Sequence, residues 1–179
     1  MTPHLAGTPM LETERLILRA PLPQDYPAWE PFFLSPRGTF IGGGPGHDAG
    51  RAWRAFASII GHWAIRGCGP FVLSRRADGA PLGACGPWFP ELWPEREIGW
   101  TLWDPANEGR GIMAEAAGAV IAHAFADLGW NTAVSYIDPK NARSIALAER
   151  LGAAPDPDAV VPDEDDTLVY RHPAPERRA

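Results

Sequence analysis

A strand-like segment, a glycine turn and an alanine-rich segment follow one another between residues 97 and 128. The strand pattern "EIGWTLW" ends before Pro105, and Gly109-Arg110-Gly111 leads directly into a helix predicted over about 110–128. The next strand pattern, "TAVSYI", follows that helix. A helix between two strands favours a β-α-β crossover, which requires an α/β or α+β fold.

The residues before this unit predict a strand, two helices and a hairpin. The strand covers 15–20, and the two helices are expected to turn large apolar side chains toward a core: Trp29, Phe32 and Phe33 on the first, and Trp53, Phe56, Ile60 and Trp63 on the second. Asp78-Gly79 joins two further strands and is a strong hairpin signal. The predicted order is therefore β-α-α-β-β-β-α-β-α-β, an antiparallel meander followed by a crossover.

The last predicted helix lies in "DPKNARSIALAERLGA", and the strand "DTLVYRHP" is expected to close the sheet. Asp138 is the expected N-cap, with Pro139 in the first turn, and Gly152 lies where a C-cap is needed. We expect one domain over 1–179, with its core over about 11–172 and a disordered tail at 173–179.

Composition narrows the classes of function. The chain has 179 residues, 45% hydrophobic and 21% charged, with a net charge of −6. An acidic chain has no basic footprint for nucleic acid and mildly favours an amine-bearing substrate. Two cysteines make no disulfide framework, the start lacks a secretion signal, and no apolar run reaches the roughly 18 residues of a membrane span. The expectation is a soluble cytoplasmic protein, monomer or homodimer.

Two glycine-rich segments could bind an anion. The first, "GGGPG" at 42–46, has dinucleotide-like spacing, but no convincing strand precedes it and Pro45 lacks an amide donor. A dinucleotide turn and a mobile loop both stay open there. The pattern GxxxxGK[ST] is absent from both segments, which excludes a nucleoside-triphosphate loop of that type.

The second segment, "EGRG" at 108–111, lies between a strand and a helix. Unpaired N–H groups and the helix dipole make a helix N-terminus favourable for a phosphate, and Arg110 can add a charge-assisted contact. Glycines at 109 and 111 would let the backbone approach the anion. From the tetrapeptide alone, an ordinary tight turn with a solvated arginine is the favoured interpretation.

The order of "REIGWTLW", "EGRG", "AEA", "AVSYID" and "NARSIALAERLGA" resembles the GNAT superfamily of acetyl-coenzyme A dependent N-acetyltransferases. The similarity is to the Rim-type branch, which acetylates the N-termini of ribosomal proteins. It extends from "LETERLILRA" to "LVYRHP". The resemblance implies a twisted, mostly antiparallel sheet of six to seven strands flanked by about four helices. This sheet would splay between "EIGWTLW" and "AVSYI", with acetyl-coenzyme A in the cleft.

The resemblance also implies cofactor-binding residues. The pyrophosphate loop falls on residues 108–113, with amides supplied by Gly109, Arg110, Gly111, Ile112 and Met113. Leu102 and Trp103 match the strand whose backbone pairs with the pantetheine arm. Asn141 matches a cofactor-contacting asparagine and Ser144 a hydroxyl near the thioester sulfur, although the first could simply cap a helix and the second could be a small exposed residue.

Two positions depart from the family pattern. Glu108 stands where Gln or Arg is usual, and Met113 stands where Gly or Ala is usual. A carboxylate beside a pyrophosphate is electrostatically unfavourable, and Arg110 and the helix dipole are the available compensation.

Acetyl transfer to an amine needs one base and one weak acid, because the amine is protonated at neutral pH and the departing thiolate needs a proton. Glu97 matches the strand carboxylate proposed as the base in Rim-type relatives. The alternative is a surface carboxylate paired with Arg96 or Arg75. Ser144 is the candidate acid and Tyr136 a poorer one, and a backbone N–H near Leu102 would stabilise the oxyanion.

Other reactive residues have no comparable pattern. Cys68 and Cys85 lack a neighbour that would lower a thiol pKa, so no acyl-enzyme is expected. The five histidines lack ligand spacing, so no metal is assigned, and His123 is expected with Glu115 and Asp127 on a polar helix stripe. Most tryptophans, Trp53, Trp63, Trp100 and Trp130 among them, are predicted to be core. Trp88, Trp93 and the "GGGPGHD" loop are candidate walls for the acceptor.

These observations predict acetyl transfer in a ternary complex from acetyl-coenzyme A to a primary amine. The amine is either a protein N-terminus or a small molecule. The alternative from another class is a non-catalytic acyl-coenzyme A binding or sensing module, which Glu108 and Met113 motivate.

Overall fold

The protein is described by a computed structural model over residues 5–162 and 166–174. Residues 175–179 of the predicted tail, and His4, lie outside the described residues. The strands are β1 (Leu11–Glu12), β2 (Leu16–Arg19), β3 (Phe71–Arg75), β4 (Pro81–Trp88), β5 (Glu97–Leu102), β6 (Val134–Ile137), β7 (Ala154–Pro155) and β8 (Leu168–Arg171). The α-helices are α1 (Tyr26–Phe33), α2 (Ala49–Arg66), α3 (Ile112–Ala126) and α4 (Ala142–Arg150). Short 3-10 helices cover Pro23–Asp25, Pro36–Ile41 and Pro105–Asn107.

All described strands form one mixed sheet in the order β1-β2-β3-β4-β5-β6-β8-β7. Every neighbouring pair is antiparallel except β5 and β6, which are parallel and flank the crossover helix α3. The single-domain α/β architecture is confirmed. The sheet has eight strands where six to seven were expected, and the two that the predicted order lacks are β1 and β7, which have two residues each.

The core has two main layers, one on each face of the sheet. Alternate residues of β3 point in opposite directions, so Phe71 and Leu73 pack under α3 whereas Val72 packs under α1 and α2. Helix α3 approaches the sheet closely because its inner face carries alanines such as Ala116 and Ala117, which are fully buried. A smaller cluster lies under α4. Strand β5 is buried only at Glu97 and Ile98, and its residues from Gly99 to Leu102 are half-buried.

The prediction for α2 was partly wrong. Its buried residues are Ala52, Phe56, Ile59, His62 and Trp63. Trp53 is 61% exposed, contrary to the expectation that it would be core. One residue along a helix corresponds to a rotation of about 100°, so the true stripe, which begins at Ala52, leaves Trp53 outside it. The prediction placed Trp53 on the buried face because its side chain is large and its spacing to Phe56, Ile60 and Trp63 is helical.

The start of α4 was also misplaced. Asp138 accepts a hydrogen bond from the Lys140 N–H through its side chain (2.7 Å) and from the Asn141 N–H through its carbonyl (2.8 Å). These bonds close a separate turn around Pro139, and the helix begins only at Ala142 with Asn141 as its N-cap. Gly152 follows the helix with φ of 82°, as a left-handed residue is expected to do.

No helix in the described ranges is both long and apolar enough to cross a membrane.

Two glycines offer a matched test of the packing between β4 and β5. A methyl group at Gly83 would collide with the Thr101 carbonyl oxygen, whereas one at Gly118, on α3, would meet no atom within 4 Å. Gly83→Ala should lower the free energy of unfolding by about 2 kcal/mol, because the backbone must move. Gly118→Ala should raise it by about 0.5 to 1 kcal/mol, because alanine is the better helix former. Urea unfolding measures both, and equal midpoints for the two variants would contradict the described contact.

Candidate active site

Strands β5 and β6 separate after one pair of residues. Glu97 pairs with Val134, and the Val134 N–H donates to the Arg96 carbonyl at 3.1 Å. The next acceptor on β5, the Ile98 carbonyl, instead takes a hydrogen bond from the Ser135 hydroxyl at 2.6 Å. The strands diverge beyond this point, so the sheet opens between the two segments that the sequence indicated.

Glu97 lies at the mouth of this gap and is only 9% exposed. Its carboxylate accepts a hydrogen bond from the Trp93 indole N–H at 2.9 Å, and Gly99, two residues along the same face, leaves room beside it. Burial raises the pKa of Glu97 to about 8, although the Trp93 indole and the Tyr136 peptide N–H oppose that rise. A carboxyl group with this pKa can hold and release a proton near neutral pH.

The alternative for Glu97, a surface ion pair with Arg96 or Arg75, is not found among the described residues. Arg75 pairs with Asp78 at 2.9 Å, and the Arg96 guanidinium lies over the Trp130 ring at 5.4 Å. Both arginines therefore have other partners, and the Glu97 carboxylate is held by N–H donors.

Ser144 reaches the gap from the other face of β5. Its hydroxyl oxygen accepts a hydrogen bond from the Trp100 indole N–H at 3.2 Å. Because successive side chains of a strand alternate, Trp100 and Glu97 point to opposite faces of β5. The two sequence-predicted catalytic residues therefore flank the strand rather than contact each other.

Tyr136, the weaker candidate for the acid, is turned to other contacts. Its hydroxyl donates to the Val160 carbonyl at 3.3 Å, and its ring packs edge-on against Trp93. Burial raises the pKa of Tyr136 to about 12, which makes its proton harder to release.

The turn from Gly109 to Gly111 leaves a row of backbone donors without partners. Gly109 and Gly111 have φ of 70° and 72°, the left-handed region where a side chain is strained. Gly111 is the N-cap of α3, which has no side-chain cap, and the first helical bond runs from the Glu115 N–H to the Gly111 carbonyl. Within the described residues, no acceptor is found for the N–H groups of residues 109–114. This row can bind an anion.

Arg15, which the sequence analysis missed, braces this turn from the start of β2. Its guanidinium donates to the Arg110 carbonyl at 2.9 Å and pairs with Glu115 at 2.6 Å. The pairing spans 100 residues, so no local pattern around Arg15 could indicate it. Arg15 and Arg110 place two guanidinium-bearing residues at the turn.

Glu108, the first departure from the family pattern, is neutralised by arginines. It pairs with Arg37 at 2.6 Å and with Arg143 at 2.8 Å. Arg37 also donates to the carbonyls of Leu102 and Trp103, at 2.6 and 3.0 Å, and so ties the end of β5 to the turn. The second departure, Met113, is buried in the core under α3 and offers only its backbone at the turn.

Of the other predicted cofactor-binding residues, some have hydrogen-bonding groups that are free to bind a cofactor and some do not. Both backbone groups of Trp103 have partners, since its N–H donates to the Leu82 carbonyl at 2.9 Å and its carbonyl accepts from Arg37. In an antiparallel ladder this alternation turns the Leu102 N–H toward the gap. The Asn141 side-chain oxygen accepts a hydrogen bond from the Ser144 N–H at 3.2 Å, so Asn141 caps α4, which is the structural alternative given above for this residue. Its side-chain NH₂ group remains available to donate.

The remaining candidates play structural parts. No group of three potential ligands is placed to hold a metal in the described part of the chain. Both cysteines are buried, and burial raises the pKa of each. His123 pairs with Asp127 at 2.6 Å, but it is buried and does not lie on a polar stripe, because the inner face of α3 extends to it. Trp88 stacks on His62, with ring centroids 5.1 Å apart.

The loop predicted to border the acceptor lines an open cavity of about 490 Å³. Its walls are Pro45, Gly46, His47, Asp48, Arg51 and Arg54. The cavity lies at the N-terminus of α2, where Asp48 caps the helix by accepting the Arg51 N–H at 2.8 Å.

Comparison with known proteins agrees with this geometry. The family described as an acetyltransferase (GNAT) domain matches residues 15–154. A crystal structure of an acetyltransferase from Agrobacterium tumefaciens strain C58 is 38% identical, with a TM-score of 0.86 over 97% of this chain and 99% of the other. A protein from Bordetella pertussis assigned to the same family is 25% identical, with a TM-score of 0.74 over 92% and 99%. The chain belongs to the GNAT acetyltransferase family.

The fold also matches that of the ribosomal-protein-S5-alanine acetyltransferase from Vibrio fischeri. The identity is 14% and the TM-score is 0.68, over 95% of this chain and 99% of the other. Resemblance to a ribosomal-protein acetyltransferase thus extends to the three-dimensional fold.

The raised pKa of Glu97 makes stability depend on pH. The native protein holds this proton up to about pH 8, whereas the unfolded chain releases it near the ordinary value of 4.5. Stability from this group is therefore present below pH 4.5 and is lost as the pH rises through 8. Glu97→Gln, which stays neutral, should raise the melting temperature more at pH 9 than at pH 5. Glu91→Gln, at an exposed carboxylate of the loop that precedes β5, is the control, and a pH-independent effect of Glu97→Gln would refute the shift.

Proposed function

We propose that the protein transfers an acetyl group from acetyl-coenzyme A to a primary amine by direct attack in a ternary complex. The observation that carries this proposal is a single gap in the sheet with a buried carboxyl group at its mouth and unpaired backbone donors beyond its open end. Family membership supports acetyl transfer, and a base with the raised pKa of Glu97 supports an amine as the acceptor.

The donor would be held at the turn before α3. The N–H groups of residues 109–113 face an anion that the helix dipole also favours, and Arg110 and Arg15 add positive charge. Glu108 does not oppose this anion strongly, because Arg37 and Arg143 offset its charge. The Leu102 N–H and the Asn141 amide are the donors proposed along the pantetheine arm.

When bound, acetyl-coenzyme A supplies a thioester carbonyl that an uncharged amine can attack. An amine reaches the site as an ammonium ion, so it must lose a proton first. Glu97, with a pKa of about 8, is suited to accept that proton near neutral pH. The nitrogen forms its bond to the acetyl carbon as the carbon–sulfur bond breaks.

Ser144 is the proposed proton donor to the departing sulfur. Its oxygen already accepts the Trp100 indole N–H, which leaves its own proton free to point elsewhere. An ammonium ion loses two protons in becoming an amide. Glu97 takes the first, and the second replaces, through solvent, the proton that Ser144 gives to the sulfur from the opposite face of β5.

The acceptor is proposed to be a protein N-terminus or a small amine. The former is suggested by the Vibrio fischeri enzyme that shares the fold. Trp93, which contacts Glu97, and the loop at 42–48 are the proposed walls, and the open cavity beside that loop could admit an extended peptide.

Gly111→Ala tests the donor site. The left-handed backbone at Gly111 costs about 1 kcal/mol for a residue with a side chain, so the affinity for acetyl-coenzyme A should fall about fivefold. Gly118→Ala, on the same helix and away from the turn, should leave the dissociation constant unchanged. Isothermal titration calorimetry measures both, and equal affinities would argue against the turn as the donor site.

An acceptor screen tests the activity itself. Acetyl-coenzyme A is offered with peptides beginning in Ser, Ala or Met, and with polyamines, aminoglycosides and amino acids, while thiol release is followed. With an accepted amine, kcat/KM should rise with pH up to about 8, because Glu97 must be deprotonated. Glu97→Gln should lower the rate at neutral pH by a factor of about 10² or more and steepen its rise with pH, since only free amine then reacts.

The outcomes separate the candidate functions. Binding of acetyl-coenzyme A without thiol release from any amine would favour a non-catalytic acyl-coenzyme A module. Unchanged kinetics in Glu97→Gln, with Glu91→Gln as the matched control, would remove Glu97 from the role of base.

A further inference from the structure

The ladder between β5 and β6 ends one rung early. In the part of the ladder that is formed, β6 donates from the Val134 N–H to the Arg96 carbonyl. If the parallel pairing continued, the next bond donated by β6 would run from the Tyr136 N–H to the Ile98 carbonyl. Only Glu97 and Val134 pair, so that rung is not formed. Its two halves have side-chain partners: the Ile98 carbonyl accepts from the Ser135 hydroxyl, and the Tyr136 N–H faces the Glu97 carboxylate.

The direction of the bonds around Ser135 is fixed by the number of protons. A hydroxyl has one proton, and Ser135 gives it to the Ile98 carbonyl at 2.6 Å. The His172 Nε2 lies 2.9 Å from the Ser135 oxygen and must therefore be the donor of that second bond. His172 carries its single proton on Nε2, consistent with burial lowering its pKa to about 4.

His172 makes no other side-chain hydrogen bond within the described residues. It is 2% exposed, and its Nδ1 atom lacks a partner there. Its backbone N–H donates to the Ala133 carbonyl at 2.9 Å, which fixes its place beside the start of β6. Its ring also meets Trp100 edge-on, and Trp100 donates to Ser144. The histidine thus touches the supports of both proposed catalytic groups.

We propose that Ser135, oriented by His172, is a positioning residue that keeps the Tyr136 N–H available to Glu97 and holds the gap open. By occupying the Ile98 carbonyl, the Ser135 hydroxyl removes the acceptor that would let β6 pair further with β5. The Tyr136 N–H is then left to the Glu97 carboxylate, where it stabilises the charged form. This inference rests on the proposed function only for the role of Glu97 as base; the arrangement itself is a property of the strands.

Ser135→Ala tests the proposal through the titration of Glu97 in the full chain, followed by carbon-13 NMR of its carboxyl group. Without the hydroxyl, the Ile98 carbonyl is free to take the Tyr136 N–H, and Glu97 loses a donor. The midpoint should rise by about one pH unit, as expected for the loss of one hydrogen bond to a charged group. Where an acceptor amine is known, the acid limb of the kcat/KM profile should move by the same amount.

Ser74→Ala is the matched control. Ser74 is also a buried serine in a strand, and its hydroxyl donates to the Gly79 carbonyl at 3.0 Å, yet it makes no hydrogen bond to Glu97, Ile98 or Tyr136. Its loss should cost stability without moving the Glu97 midpoint. Ser135→Thr, which keeps the hydroxyl, should restore the wild-type midpoint.

A midpoint unchanged in folded Ser135→Ala, or moved equally in Ser74→Ala, would overturn the proposal. If Ser135→Ala does not fold, His172→Phe and His172→Gln decide: the first should raise the midpoint and the second, which keeps a donor, should not. An equal midpoint in both would also overturn it. Because NMR requires no turnover, failure of every amine in the screen would refute the proposed function and leave this test intact.

Discussion

The early end of the β5–β6 ladder is the constraint on which the rest of the site depends. Buried backbone groups need hydrogen-bond partners, so a sheet can open in its middle only where side chains or a ligand supply them. Here the Ser135 hydroxyl and the Glu97 carboxylate take the two halves of the missing rung. The opening therefore results from side chains of the strands themselves, and Glu97 contributes both to the architecture and to the proposed chemistry.

Charge is arranged around this opening in two different ways. Glu97 has N–H donors beside it and no ion-pair partner in the described part of the chain, so burial dominates and its pKa rises to about 8. Glu108, some 11 residues later, has two arginines and accepts ion pairs instead. Arg37 both offsets the charge of Glu108 and fixes the end of β5, because the same guanidinium binds the Glu108 carboxylate and the carbonyls there. Glutamate is thus the proposed proton acceptor at position 97 and an ion-pair partner that holds the turn at position 108.

The sequence predicted well what depends on neighbours along the chain. The strand–turn–helix order and the hairpin at Asp78-Gly79 follow from local turn chemistry and periodicity, whereas the position of the splay was implied by the family resemblance. Prediction from the sequence failed where contacts between residues far apart in the chain determine the structure. Arg15 reaches Glu115 across 100 residues, and Trp93 bonds Glu97 from a loop whose conformation no propensity describes. The exposure of Trp53 was missed, and Asp138 was preferred to Asn141 as the cap of α4, because two registers were compatible with the same pattern and packing chose between them.

The brace between Arg15 and Glu115 also bears on how the chain folds. Thr13 bonds the same carboxylate, so the hairpin of β1 and β2 is fastened to the first turn of α3. Contacts between residues this far apart form only after a long loop has closed, which makes them late and slow events in folding. During synthesis, α3 emerges long after β2, and the turn before α3 cannot reach its braced form before then. The end of the molecule where acetyl-coenzyme A is proposed to bind therefore becomes native only after residues about 100 positions apart have met.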